Sequence, residues 1–203
     1  MQVNLEVAMQ WEFSTPGIPD ELFERDERVP ITKEDIRSLV ISKLRLKHGS
    51  SAIDIGCGSG SITVELCIQT RSENIYGIDF DETAINLTNR NLQKFGLKSN
   101  VIMSKAENIL PYLPKVDAVV VGGTWGNTGQ IIQMAIGRLN IGGRIVVNTI
   151  LLETMHKALD AFRSSDLHEI DITQVIIAKA KKVTTGTMMI ARNPVLILSA
   201  TRN

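Results

Sequence analysis

The sequence is poor in several residue types that mark whole protein classes. Its 203 positions hold only two cysteines, Cys57 and Cys67, which make neither a CxxC pair nor a disulfide framework. Three histidines, His48, His156 and His168, are scattered too widely to suggest a metal site, so no metal is expected. No apolar run approaches the roughly 20 residues needed to cross a bilayer. The first twenty positions scatter Glu6 and Glu12 among Val, Leu and Trp, unlike the basic-then-apolar order of a signal peptide, so a cytoplasmic protein is expected. There is no surplus of either charge: Lys+Arg and Asp+Glu both number 22, which argues against a partner with a long phosphate backbone. What is present is a 43% hydrophobic fraction, enough for a core and too much for a largely disordered chain. The length suits one domain with a short appendage.

Residues 1–30 hold Pro16, Pro19 and Pro30 and a run of charges from Asp20 to Arg28, and read as an irregular arm before a domain at 31–203. A helix is expected from Thr32, three residues ahead of Asp35 in a variant capping box, with Ile36, Leu39, Val40 and Leu44 on one face and an end at Lys47-His48-Gly49. Short apolar runs at 52–55, 74–78, 100–103, 116–121 and 144–150 then alternate with helical patterns at 61–70, 82–95, 130–139 and 153–163. That alternation predicts a mostly parallel sheet covered on both faces. Two strand-like runs, 168–183 and 187–200, joined by Thr184-Thr185-Gly186, add an antiparallel hairpin. The expected fold is a Rossmann-like, doubly wound α/β domain of the kind usual for class I methyltransferases.

The stretch Asp54-Ile55-Gly56-Cys57-Gly58-Ser59-Gly60 lies between the first strand and a helix. Glycines there allow a tight turn and close approach of a ligand to the backbone beside the positive helix end. The dinucleotide fingerprint GxGxxG fails at Ser61, which weakens a nicotinamide oxidoreductase reading. The G-x-G-x-G spacing, with an acid two residues ahead, resembles an S-adenosylmethionine (SAM) site. Asp79, ending the next strand about 20 residues on, can accept both ribose hydroxyls. Asp54 is expected to act through the loop backbone and the SAM ammonium. The competing reading makes the loop a plain strand–helix joint and Asp79 a cap; Asp54, Asp79 and the strand order together favour SAM. For adenine, Ala106 offers its backbone, and Glu107 is either an acceptor or a solvated helix-start carboxylate.

Methyl transfer from a sulfonium is an in-line displacement, so holding nucleophile and methyl carbon aligned is the main task. The [DN]PP[FY] motif of nitrogen-methylating relatives is missing after the fourth strand, where Val121-Gly122-Gly123-Thr124-Trp125-Gly126 stands. Asn193-Pro194 is superficially like that motif but is expected in the final strand, away from the SAM site. Gly122-Gly123 leave room for a bulky substrate, and Trp125 either stacks on a flat ligand or packs a loop. Cys57 has no nearby histidine to activate it as a nucleophile, and the three histidines suit surface or capping roles.

Several segments together resemble the CbiT family of decarboxylating precorrin C-15 methyltransferases: Val29 to Arg37, Asp54 to Gly60, Val119 to Gly123, Asn148 to Thr154, and Gly186 to Val195. The likeness runs from about Gly17 to Ala200. It implies a class I methyltransferase fold, a homotetramer, and SAM contacts at Thr32, Gly56, Cys57, Gly58, Ser59, Gly60, Asp79 and Ala106. It further implies methylation of C-15 of cobalt-precorrin-6B and loss of CO2 from its C-12 acetate arm, giving cobalt-precorrin-7 in anaerobic cobalamin biosynthesis. Gly123, Trp125, Leu151, Glu153 and Arg192 are then expected around the tetrapyrrole. Arg192 is either a grip for a peripheral carboxylate or a salt bridge at a subunit contact. Lys105 stands where an acid is common, and no residue is identifiable as a catalytic acid or base. The rivals are an RNA methyltransferase of the same fold, which predicts a basic groove, and a non-catalytic SAM-binding subunit.

Overall fold

Alternate residues of a strand face opposite sides of a sheet, and here both sides are apolar. In a computed structural model describing Met9, residues 11–124 and residues 126–203, the strands are β1 (Ala52–Ile55), β2 (Ile75–Asp79), β3 (Asn100–Met103), β4 (Val116–Val121) and β5 (Leu139–Thr149), followed by β6 (Leu167–Val175), β7 (Ala178–Val183), β8 (Gly186–Ala191) and β9 (Val195–Arg202). The helices are α1 (Glu34–Lys43), α2 (Ser61–Thr70), α3 (Glu82–Lys94), α4 (Ala106–Ile109), α5 (Thr128–Gly137) and α6 (Leu152–Arg163). Ile53, Ile55, Val119, Val121, Ile145 and Val147 share one core with α5 and α6. Ala52, Ala118, Val120 and Val146 enter the opposite core with α1 and α2. The main sheet has seven strands in the order β3-β2-β1-β4-β5-β9-β6. Its first five strands are parallel, and β9 runs antiparallel to both β5 and β6. This is the class I methyltransferase fold. No helix among the described residues is long and apolar enough to cross a membrane.

The tail departs from expectation. Two long strands were expected, but the chain breaks twice and forms four. Strands β6 and β9 join the main sheet, whereas β7 and β8 make a separate two-stranded sheet. Pro194, in the gap between β8 and β9, has no N–H to donate to a ladder, and that gap faces the one at Ile176-Ile177. The helix expected to start at Thr32 begins at Glu34, with no side-chain cap from Lys33. The Glu34 N–H instead donates to the Asp20 carboxylate at 2.9 Å. The same helix stops at Lys43 because Arg45 takes a left-handed backbone, φ 52°.

The N-terminal segment is tied down by a buried cation. Arg37 is 0% exposed, its Nε donating to Glu65 at 2.8 Å and its Nη1 to Asp20 at 3.2 Å. Further guanidinium N–H groups donate to the carbonyls of Thr32 and Ile18, and the guanidinium carbon lies 4.7 Å from the Phe23 ring centroid. Glu65 also accepts the backbone N–H groups of Gly17 and Ile18. Ile18 and Phe23 are thereby set into the α1–α2 core. A buried charge is tolerated because its donors are paired, and removing one partner strands the others. Arg37→Met is expected to lose about 3–5 kcal/mol of unfolding free energy in a urea melt; a loss under about 1 kcal/mol would show that the paired network holds nothing in place.

Candidate functional site

The glycine loop is compressed between two neighbours. Gly56, Gly58 and Gly60 take φ values of 74°, 56° and 74°, a left-handed region that side chains disfavour. A Cβ on Gly56 would lie 2.7 Å from the Gly123 nitrogen, and one on Gly60 would lie 2.9 Å from Thr88. The loop therefore touches the turn after β4 on one side and α3 on the other. Backbone N–H groups of Gly56 and Cys57 donate to the Ile78 carbonyl, which holds the loop against β2.

Asp79 closes β2 beneath this loop. One carboxylate oxygen accepts the Gly58 N–H at 3.0 Å and the other the Asp81 N–H at 3.1 Å. An ionised carboxylate has about four acceptor sites, so Asp79 keeps capacity for a ligand. Asp81, not Asp79, caps α3, accepting the Thr83 N–H at 2.8 Å.

Two cavities meet at this point. The larger has a volume of about 1140 Å³ and the smaller about 280 Å³. Gly56, Asp79, Phe80, Gly123 and Thr124 line both. Single-ligand sites run about 300–1,000 Å³, so the pair has room for two molecules side by side. The smaller cavity is closed by Ile78, Ile131 and the segment Ser104 to Glu107, with Glu107 accepting from the Asn127 amide at 3.3 Å.

The residues singled out from sequence converge here. Thr32, Gly56, Cys57, Gly58, Ser59, Asp79, Gly123, Leu151, Glu153 and Arg192 line the larger cavity, and Ala106 lines the smaller. Gly60, also expected there, lines neither cavity: it is the residue before α2 and packs against Thr88 of α3. Trp125 lies outside the described residues. Cys57 is buried, and that burial pushes its thiol pKa well up, away from nucleophilic use. Asn193, expected in the final strand and away from the SAM loop, lies in the gap between β8 and β9 and lines the larger cavity on the stretch of wall that also carries Arg192. Strand β9 runs antiparallel to β5, so it begins where β5 ends, at the edge that carries the site.

Sequence reasoning missed the cations. Arg28, Lys33 and Lys157 line the larger cavity along with Arg192. Lys157 had a detectable signal, since it is one helical turn beyond Glu153 on α6. Arg28 and Lys33 had none, because their placement depends on how the arm folds back. Arg192 does carry a salt bridge, 3.6 Å from Asp35, but within its own chain. Among the described residues, no group of three His, Cys, Asp or Glu could hold a metal.

A family model described as a precorrin methyltransferase domain matches residues 21–202. The "Probable cobalt-precorrin-6B C(15)-methyltransferase (decarboxylating)" of Saccharolobus solfataricus is 49% identical over 195 residues, covering 94% of this chain and 98% of that protein. Among solved structures, the precorrin 8W decarboxylase of Methanobacterium thermoautotrophicum superposes with a TM-score of 0.83 at 36% identity, over 90% of this chain and 98% of that one. The precorrin-6Y C5,15-methyltransferase of Geobacter metallireducens gives 0.85 at 30% identity, over 92% and 97%.

Asp54 sits behind the loop and does not line either cavity. One of its oxygens accepts the Thr63 hydroxyl at 2.6 Å, while the other is enclosed without a partner. Burial pushes its carboxyl up to about 7 from an ordinary 3.8, opposed by the Thr63 hydrogen bond and reinforced by the Asp79 charge. Between those values the folded chain binds a proton that the unfolded chain has released, so stability falls as pH rises through this window. The ligand-free protein should therefore lose a few kcal/mol between about pH 4 and pH 7 relative to Asp54→Asn, at about 1.36 kcal/mol for each pH unit crossed. Parallel denaturant melts of the two proteins would check this; identical pH profiles would refute it.

Proposed function

The chain belongs to the precorrin methyltransferase family, and from that premise we propose that it methylates C-15 of cobalt-precorrin-6B with SAM and removes CO2 from the C-12 acetate arm. The product would be cobalt-precorrin-7, in cobalamin biosynthesis. The observation that carries this reading is the shared wall of the two cavities at Gly56, Asp79 and Gly123, which sets a small slot beside a chamber of about 1140 Å³.

The residues present fit SAM. Ala106 and Glu107 flank a slot of about 280 Å³ for the adenine, Asp79 has acceptor sites left for the ribose hydroxyls, and Gly56 to Ser59 with Thr32 line the larger cavity at the methionine end. When bound, SAM supplies the methyl group as a sulfonium. Gly122 and Gly123 keep side chains away from the junction of slot and chamber, which lets a wide ring approach. Arg28, Lys33, Lys157 and Arg192 bring positive charge to a substrate with carboxylate arms. Val121, Val147 and Ile177 give the chamber an apolar lining for the acetate arm, whose C–C bond breaks as CO2 leaves and its electron pair passes into the ring. Glu153 stands on the substrate side, at the start of α6.

The reading includes a homotetramer and a cytoplasmic location. Exposed Met188, Met189 and Ile190 on the detached β7–β8 hairpin support association between copies. Light scattering should report four chains.

Asp79→Ala is expected to weaken S-adenosylhomocysteine binding roughly 10- to 100-fold, the scale of hydrogen bonds to a charged group, with the circular dichroism of the fold retained. Unchanged affinity would refute the ribose assignment. The activity is tested by mass spectrometry of cobalt-precorrin-6B after incubation with SAM and the protein. Gain of one methyl with loss of CO2 is expected. Methyl gain with the carboxyl retained would overturn the coupled decarboxylation, and no change with SAM bound would redirect attention to RNA.

A further inference from the structure

Arg192 follows β8 and reaches the larger cavity from the base of the β7–β8 hairpin. Its backbone N–H donates to the Ile177 carbonyl at 2.9 Å, closing the hairpin where it leaves the main sheet. Its Nη1 is enclosed yet makes no hydrogen bond. The nearest anion is the Asp35 Oδ2 at 3.6 Å, within ion-pair range but beyond a hydrogen bond. That Asp35 oxygen is likewise enclosed without a hydrogen bond, and it lies between two cations, Lys179 at 3.0 Å and Arg192 at 3.6 Å. Lys179 also pairs with Glu34, whose other oxygen accepts the Asp20 N–H at 3.3 Å, and Asp20 is held by buried Arg37. A continuous polar chain thus runs from the core to the Arg192 guanidinium.

We propose that Asp35 is a positioning residue that, restrained by Lys179, aims the Arg192 guanidinium at a carboxylate arm of the substrate. This rests on the tetrapyrrole reading of the larger cavity. A guanidinium has five N–H donors in a planar fork. An anion held at 3.6 Å orients that fork without saturating it. Were Asp35 free of Lys179, it would move onto Arg192 and compete with the substrate. The two acids and two bases of the cluster balance, so an arriving carboxylate meets no excess negative charge.

The test uses the full chain and four variants: Asp35→Asn, Asp35→Glu, Arg192→Met and the Asp35→Asn/Arg192→Met double. Asp35→Asn is expected to raise KM for cobalt-precorrin-6B about tenfold, with kcat and S-adenosylhomocysteine affinity changed by less than about twofold. Arg192→Met should match it, the double variant should be no worse than Arg192→Met alone, and Asp35→Glu should recover part of the loss. A second readout needs no turnover: quenching of uroporphyrin fluorescence, a tetrapyrrole with acetate and propionate arms, should weaken in the same variants. An unchanged KM and unchanged porphyrin affinity in Asp35→Asn would overturn the proposal. So would losses that multiply in the double variant, because Asp35 would then act apart from Arg192. A wild-type protein that binds porphyrin without converting the precorrin would defeat the reaction assignment while the variants still decide the role of Asp35. Wild-type protein that does neither would defeat both.

Discussion

The buried guanidinium of Arg37 is the constraint on which the site is assembled. It joins the arm to α1 and α2 through Asp20, Glu65 and two backbone carbonyls. Such a cluster is weak evidence of net stability, since replacing all of its members together by apolar side chains of matching volume often does as well, whereas removing one member alone strands the rest. What it supplies here is a position. With Ile18 and Thr32 held by their carbonyls and the Glu24 backbone held by Asn91, the segment between them brings Arg28, Val29, Pro30 and Ile31 to the wall of the larger cavity. One buried side chain thus anchors a whole wall of the larger cavity.

The opposite wall follows from the sheet. Strands β1, β2, β4 and β5 run parallel and end at the same edge, so the turns after them gather there. Gly56 and Gly123 approach so closely that a side chain on Gly56 would strike the turn. That contact is also the border between slot and chamber. In-line methyl transfer requires two ligands held end to end, and two cavities that share Gly56 and Gly123 in their lining suit that arrangement.

Much of this was legible in the sequence because its causes are local. Short apolar runs marked β1 and β4, glycine spacing marked the loop, and an acid at a strand end marked Asp79. The failures have a common origin in long-range contacts. Thr32 has the sequence context of a cap, but Asp20 satisfies the Glu34 N–H from fourteen positions away, and nothing near Thr32 announces that. Arg37 looks like any surface arginine on a helix until Glu65 is placed beside it. The tail, 168–200, alternates smoothly enough to suggest two strands; only Pro194 hints at the break that sends β7 and β8 off the main sheet. Local pattern reveals an element but not the direction in which the next one returns.

On the proposed reading, SAM and substrate occupy the two adjoining cavities and meet at the Gly56–Gly123 contact. A crystal structure with S-adenosylhomocysteine bound tests it most directly. The expected result is adenine against Ala106, the ribose hydroxyls on Asp79, and the sulfur at Gly123 facing the larger cavity. A ribose held elsewhere, or a sulfur turned away from that cavity, would contradict it.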